Sequence, residues 1–294
     1  MFRRRFAETP GLDGIAAGSP PAAALHAFST SWRRAVAYKD ILVYLDPGSG
    51  AEDRLRLAVA LARAHGARLT GADVSSDEAF LGASAERALQ IRPKFAEATR
   101  AAGVTGHFIG QDDIHAPPLS GYAHCADLLI APRPEREEKA LVRAFVPEGA
   151  LESAGAPMLI IPQGWTHRPA GENVVIAWND SREAARAVHD AMPLLRKAGK
   201  VTIFSFSSRL NGLRASAELL ADHLLRHEVT ARISGWTNTG DMSAIEALFA
   251  SLDTQDADMI VAGAFGHSRV FESLFGGVSL DLLRQPLLPV FMSH

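Results

Sequence analysis

The chain has a single cysteine, Cys125, so no internal disulfide can form, and a reducing compartment such as the cytoplasm is the expected setting. It has no apolar run approaching the roughly 18 residues of a membrane span. A strong charge imbalance is missing too: the net charge is -3, which excludes the basic footprint of a nucleic-acid binder. Catalytic signatures are also missing. There is no G-x-S-x-G elbow, no G-x4-G-K-[ST] phosphate loop and no G-x-G-x-x-G after a strand. Small molecules and other proteins are therefore better partners than DNA, RNA or lipid.

What is present is ordinary globular sequence, 47% hydrophobic and 21% charged over 294 residues, enough for about two domains of ~150 residues. Residues 1–35 stand apart, with five arginines, two acids and several Gly, Pro and Ser. An Arg-rich, acid-poor start resembles an organelle targeting peptide; the plainer expectation is a disordered leader or a mis-assigned start, with Val36 as initiator. No methionine lies between Met1 and Met158, and periodic sequence begins at VAYKDILVYLD.

Beyond the leader, one pattern occurs twice. YKDILVYLDPGSG matches GENVVIAWNDSRE, LARAHGARLTGADV matches LLRKAGKVTIFSF, CADLLIAPRP matches DADMIVAGAF, and APMLIIPQG matches LLPVFMSH. The offset stays between 131 and 133. The chain thus divides into residues 36–164, a polar connection at 165–170 and residues 171–294. Within each half, short apolar runs alternate with helical periodicity. The first half has a helical stretch ending at Gly66 and a longer one interrupted at Pro93. In the second half, helices are expected over residues 182–198, 213–227 and 242–252. Alternating strands and helices predict an α/β fold: two repeated open, mostly parallel, five-stranded sheets with helices on both faces, Rossmann-like. Ligands of such sheets bind beyond the carboxyl ends of the strands.

The stretch GAFGHSRVFESLFGGVS, residues 263–279, lies at one of those ends. Glycines let backbone N–H groups approach an anion, and successive N–H groups form an anion-binding hollow. Gly263 and Gly266 would bend the chain out of the strand, and Gly276 and Gly277 would start the next helix, with Ser279 as cap or phosphate ligand. The same glycines also suit tight turns and close packing alone.

G-x2-G-x9-G and a small residue, after the strand DMIVAG, resembles the nucleotide loop of the universal stress proteins, which are related to the adenine nucleotide alpha hydrolases. The resemblance spans roughly residues 36–294, as in tandem members with two domains in one chain. It implies a stress-response regulatory protein whose second domain binds ATP or another adenine nucleotide, with Mg accompanying ATP, and which is at most a slow ATPase. By position it carries over Ala177, Asn179, Ser181, Phe206, Gly263, Gly266, Gly276, Gly277, Val278 and Ser279 as cofactor-binding residues, with no catalytic or metal residue. Asn179 stands where the family has an acid, and Gly277 where it has a hydroxyl residue. The first half keeps Asp46, but Ala131-Pro132-Arg133-Pro134 replaces the first glycines and Ala144-Phe145 the later pair, so no cradle is expected there. Neither half has the SGG-type pyrophosphatase loop of the related hydrolases. The implied partners are the other half of the chain, paired through MLIIP and LPVFM, a second copy in a homodimer, and a regulatory protein. A non-nucleotide scaffold is the alternative.

Other clusters read more plainly. His223 and His227 share a helix face, as metal ligands or as a solvated surface, with no third ligand nearby in sequence. Arg269, beside His267 and Ser268, could meet a phosphate or only solvent. Asp112, Asp113 and His115 precede two prolines, as a loop would. The run from Glu135 to Lys139 mixes charge signs, as solvated segments do. Cys125 is expected to be a packed, inert thiol.

Overall fold

A computed structural model of the chain describes residues 37–48, 50–74, 85–110, 118–133, 155–162, 164–166, 170–207, 210–237, 243–264, 282 and 288–294. They belong to one compact unit, Val36–His294. The first half supplies strands β1 (Asp40–Leu45), β2 (Arg68–Asp73), β3 (Gly106–Ile109), β4 (Leu128–Pro132) and β5 (Met158–Ile161). Its helices are α1 (Ala51–His65), α2 (Ala85–Ala102) and α3 (Leu119–His124). The second half supplies β6 (Asn173–Ala177), β7 (Lys200–Ser207), β8 (Ala231–Thr237), β9 (Met259–Gly263) and β10 (Val290–Ser293). Its helices are α4 (Arg182–Leu195), α5 (Leu210–Arg226) and α6 (Ala244–Gln255).

The strands form a single ten-stranded sheet in the order β3-β2-β1-β4-β5-β10-β9-β6-β7-β8. Each half therefore has the order 3-2-1-4-5, and every pairing is parallel except β5 with β10. That antiparallel pair sets Val290 opposite Ile160, Phe291 opposite Leu159 and Met292 opposite Met158. All these residues are buried, so the two five-stranded sheets are continuous through their last strands.

Strand side chains alternate between the two faces. Ile41, Val43, Leu128, Ile130, Val174, Ile176, Val261 and Phe291 pack on the face covered by α1, α2, α4 and α5. Leu42, Tyr44, Leu129, Val175, Ile260, Val290 and Met292 pack on the other, with α3 and α6. A sheet buried on both sides explains why its strands read as unbroken apolar runs.

Two expectations are corrected here. Pro93 does not interrupt its helix; α2 runs through it. Pro93 cannot donate to the Leu89 carbonyl, and Leu89 lies at the exposed surface where water can serve instead. Cys125 is exposed rather than packed, because it is the residue that ends the short α3 and not part of the strand after it.

Candidate functional site

The carboxyl ends of β6 and β9 lie side by side, with Ala177 in register with Ala262. Chain order reverses here, since β7 flanks β6 on its other side. Ligands of open α/β sheets bind beyond the strand ends at a reversal of this kind. The start of α4 follows β6 there. Asn179 Oδ1 accepts from Ser181 N at 3.2 Å, and Asp180 between them has φ of 61°. Ser181 then caps α4, its Oγ accepting from Ala184 N at 3.1 Å. The polar residues read from the sequence as ligand contacts thus shape the turn into the helix.

Gly263, the last residue of β9, reaches the same helix start. A Cβ there would overlap Ala184 N and lie 2.5 Å from Glu183 C and 2.9 Å from Ala184 Cα. The missing side chain is occupied by the backbone of α4, so packing alone demands this glycine. Of the remaining positions carried over, Phe206 lies on β7 opposite Trp236. Gly266, Gly276, Gly277, Val278 and Ser279 lie outside the described residues, as do His267, Ser268 and Arg269. So do the Asp112–Asp113–His115 group, the run beginning at Glu135, and Ala144 and Phe145.

Sequence reading missed Glu183. It is buried in the first turn of α4. Burial pushes its carboxyl up, but hydrogen bonds from its own N–H, Arg182 and Ser181 outweigh that and hold it below the usual range. A charged carboxylate thus occupies the helix end that would otherwise favour an anion. An acid in the first helical turn, S-R-E after the cap, was the signal that could have found it.

The first half repeats the turn with different chemistry. Asp46 Oδ1 accepts from Gly48 N at 2.7 Å, the counterpart of Asn179 with Ser181. Its other oxygen is ion-paired with Arg54, whose Nε also donates to Tyr44 O at 2.9 Å. Both side chains are buried, at 3% and 4% exposure. At the offset of 133, Arg54 corresponds to Ala187, so acid and base are both absent from the second half. Beside each turn lies a cleft between the first two helices of that half. The first-half cleft is about 360 Å³, lined by Leu45, Asp46, Glu52, Ile91 and Lys94. The second-half cleft is about 220 Å³, with Trp178 at the Leu45 position. Trp178 Nε1 donates to Ser216 Oγ at 2.8 Å, which fixes the indole there.

Asp127 and Asp258, the acids just ahead of β4 and β9, have a role the sequence did not reveal. Asp127 accepts from Lys39 N at 2.6 Å and Asp40 N at 3.0 Å. Asp258 accepts from Gly171, Glu172 and Asn173 N–H groups at 2.8, 3.1 and 3.0 Å. Each ties the start of its half's first strand to the fourth, at the end of the sheet opposite the carboxyl ends of the strands.

His223 and His227 gain the neighbour that sequence spacing did not supply. His189 on α4 lies 5.4 Å from the His223 ring, and His227 lies 4.7 Å from it, between centroids. Burial, then His227, His189 and Arg226, push the His223 pKa down. Among the described residues, no group of three or more His, Cys, Asp or Glu side chains is arranged to hold a metal ion. No described helix is long and apolar enough to cross a membrane.

No family model and no curated protein matches the chain. Solved structures do. A universal stress protein of Archaeoglobus fulgidus DSM 4304 superposes with a TM-score of 0.64, covering 86% of this chain and 97% of that one at 16% identity. The fold is that of the universal stress proteins. A putative universal stress protein of Pseudomonas aeruginosa UCBPP-PA14 is similar over 87% of this chain and 93% of its own, with 17% identity and a TM-score of 0.55. A functionally unknown protein of Pseudomonas aeruginosa PAO1 covers 87% and 92%, with 16% identity and a TM-score of 0.56. In this universal stress fold the strand order of the second half reverses where β6 and β9 end side by side.

Proposed function

We propose that the protein is a stress-response-type regulatory protein and that its second half binds an adenine nucleotide, ATP with Mg or a relative, at the ends of β6 and β9. The observation that carries this reading is the strand-order reversal at the ends of β6 and β9, with the glycine-rich sequence 263–279 following β9. Gly266, Gly276 and Gly277 would supply backbone N–H groups to phosphate, and Asn179 and Ala177 would border the nucleoside. Glu183 opposes phosphate at the α4 start, which makes binding weak and its occupancy sensitive to nucleotide level, as suits a regulator.

The test is calorimetric titration of the full chain with Mg·ATP, ADP and AMP. Saturable heat is expected, with at least tenfold weaker binding in Gly266→Val. Glu183→Gln removes the opposing charge and tightens binding by roughly fivefold or less, the scale of one charge at a helix terminus. Equal heats from the native protein and Gly266→Val would sink the nucleotide reading. They would favour a scaffold without nucleotide, which the closed Asn179–Ser181 turn and the Glu183 charge already suit.

A further inference from the structure

The two halves meet in a second place besides β5 and β10, on the α1 and α4 side of the sheet. Tyr38, ahead of β1, donates its hydroxyl to the Asp190 carbonyl on α4 at 2.8 Å. Lys197, just past α4, donates to the Ala64 carbonyl at the end of α1. Lys39 donates to the neighbouring His65 carbonyl at 3.2 Å. His65 sits within this contact, 5% exposed, its ring 5.0 Å from that of Tyr38. Neither of its ring nitrogens has a hydrogen-bond partner. A buried, unpartnered imidazole between two ammonium groups is an anomaly that stability alone does not explain.

We propose that this contact is an acid-sensitive latch between the two halves, closed while His65 is neutral and released when its ring takes a proton. The groups around His65 leave an added charge without a partner. From the segment before β1 come Lys39, a cation, and Tyr38, whose hydroxyl is already donated. From the α4 side comes Lys197, a second cation. The nearby carboxylates are engaged elsewhere: Asp190 holds Arg186 and Ser293, and Asp127 holds the Lys39 and Asp40 N–H groups. Burial first, then Lys197 and Lys39, push the His65 pKa down to about 4 from 6.5. The sign follows directly. The closed contact is fully favoured above the ordinary value of 6.5, and that advantage is lost as pH falls towards 4. Between pH 7.5 and pH 5, the opening equilibrium rises about 30-fold.

Hydrogen exchange of the full chain at pH 7.5, 6, 5 and 4.5, corrected for intrinsic rates, tests this. Peptides covering residues 61–69 and 190–200 are expected to lose protection by about 30-fold at pH 5, while β7 and α5 peptides keep theirs. His65→Phe retains a ring against Tyr38 and is expected to abolish the acid response. Lys197→Met removes one of the two cations and, burial being the larger cause, is expected to reduce it by at most about twofold at pH 5. Protection at pH 5 equal to that at pH 7.5 would overturn the latch. So would an undiminished response in His65→Phe, or parallel loss in β7, which would mean unfolding of the whole chain. Should His65→Phe fail to fold, the native pH series and Lys197→Met decide. The readout needs no nucleotide, so the proposal stands or falls apart from the functional reading above.

Discussion

The two halves solve one structural problem with different side chains, and the difference separates what the fold requires from what it tolerates. At the turn after the first strand, one half buries the Asp46–Arg54 pair and the other has Asn179 and Ala187. The turn hydrogen bond is kept in both, to Gly48 N and to Ser181 N. The requirement is therefore an oxygen two residues before an N–H, and the charge is optional provided its partner changes with it. Asn179 read alone looks like a damaged ligand site; read beside Ala187 it is half of a coordinated replacement. Burial of lone charge is costly, which is why acid and base change together.

The largest effect should come from breaking that coordination. Arg54→Ala leaves the Asp46 carboxylate buried without its cation and is expected to cost about 3–5 kcal/mol in denaturant unfolding. Adding Asp46→Asn transplants the second-half solution and should recover most of the loss. If the double variant is no more stable than Arg54→Ala, the two turns are not equivalent. Next in size is Gly263→Ala. Its Cβ meets the α4 backbone, so about 1–3 kcal/mol of destabilisation is expected, with or without nucleotide. By strand register the first-half counterpart is Pro132, opposite Ile161 as Gly263 is opposite Ser293. Pro132→Ala is expected to cost less in the same unfolding measurement. The smallest effect concerns the turns that end the second helix of each half. Gly103 and Glu228 both have φ of 66°, and Val104 N and Val229 N make matching bonds to Thr99 O and Leu224 O. A side chain is strained in that left-handed conformation, so Glu228→Gly should stabilise by about 1 kcal/mol, read as a shift in the unfolding midpoint.

The fold was largely legible because its signals are periodic and occur twice. Apolar runs at a constant offset marked the strands of both halves along the chain, and apolar spacing located the helices to within a few residues: α4 ends at Leu195 and α6 at Gln255, against expected limits of 198 and 252. What spacing could not show was contact across distance. The acid ahead of the glycine-rich stretch looked like part of a nucleotide motif, yet Asp258, like Asp127, fastens a strand start far away in sequence. Spacing left Gly263 open between ligand contact and close packing; only contact shows that it lets the start of α4 in. His189 belongs with His223 only because α4 and α5 lie side by side. Pro93 was read as a break because propensity is local, whereas α2 continues through it with Ile91 and Phe95 packed into the core.

The antiparallel joint of β5 with β10 has a consequence for concentration. Two separate chains that met through these strands would fall apart on dilution. Here the partners are tethered through the short connection between Ile161 and Asn173, so the joint forms as an intramolecular event whose occupancy does not depend on how much protein a cell makes. The strand that a lone copy would present to strangers is consumed at home, and any larger assembly must be built from other surfaces.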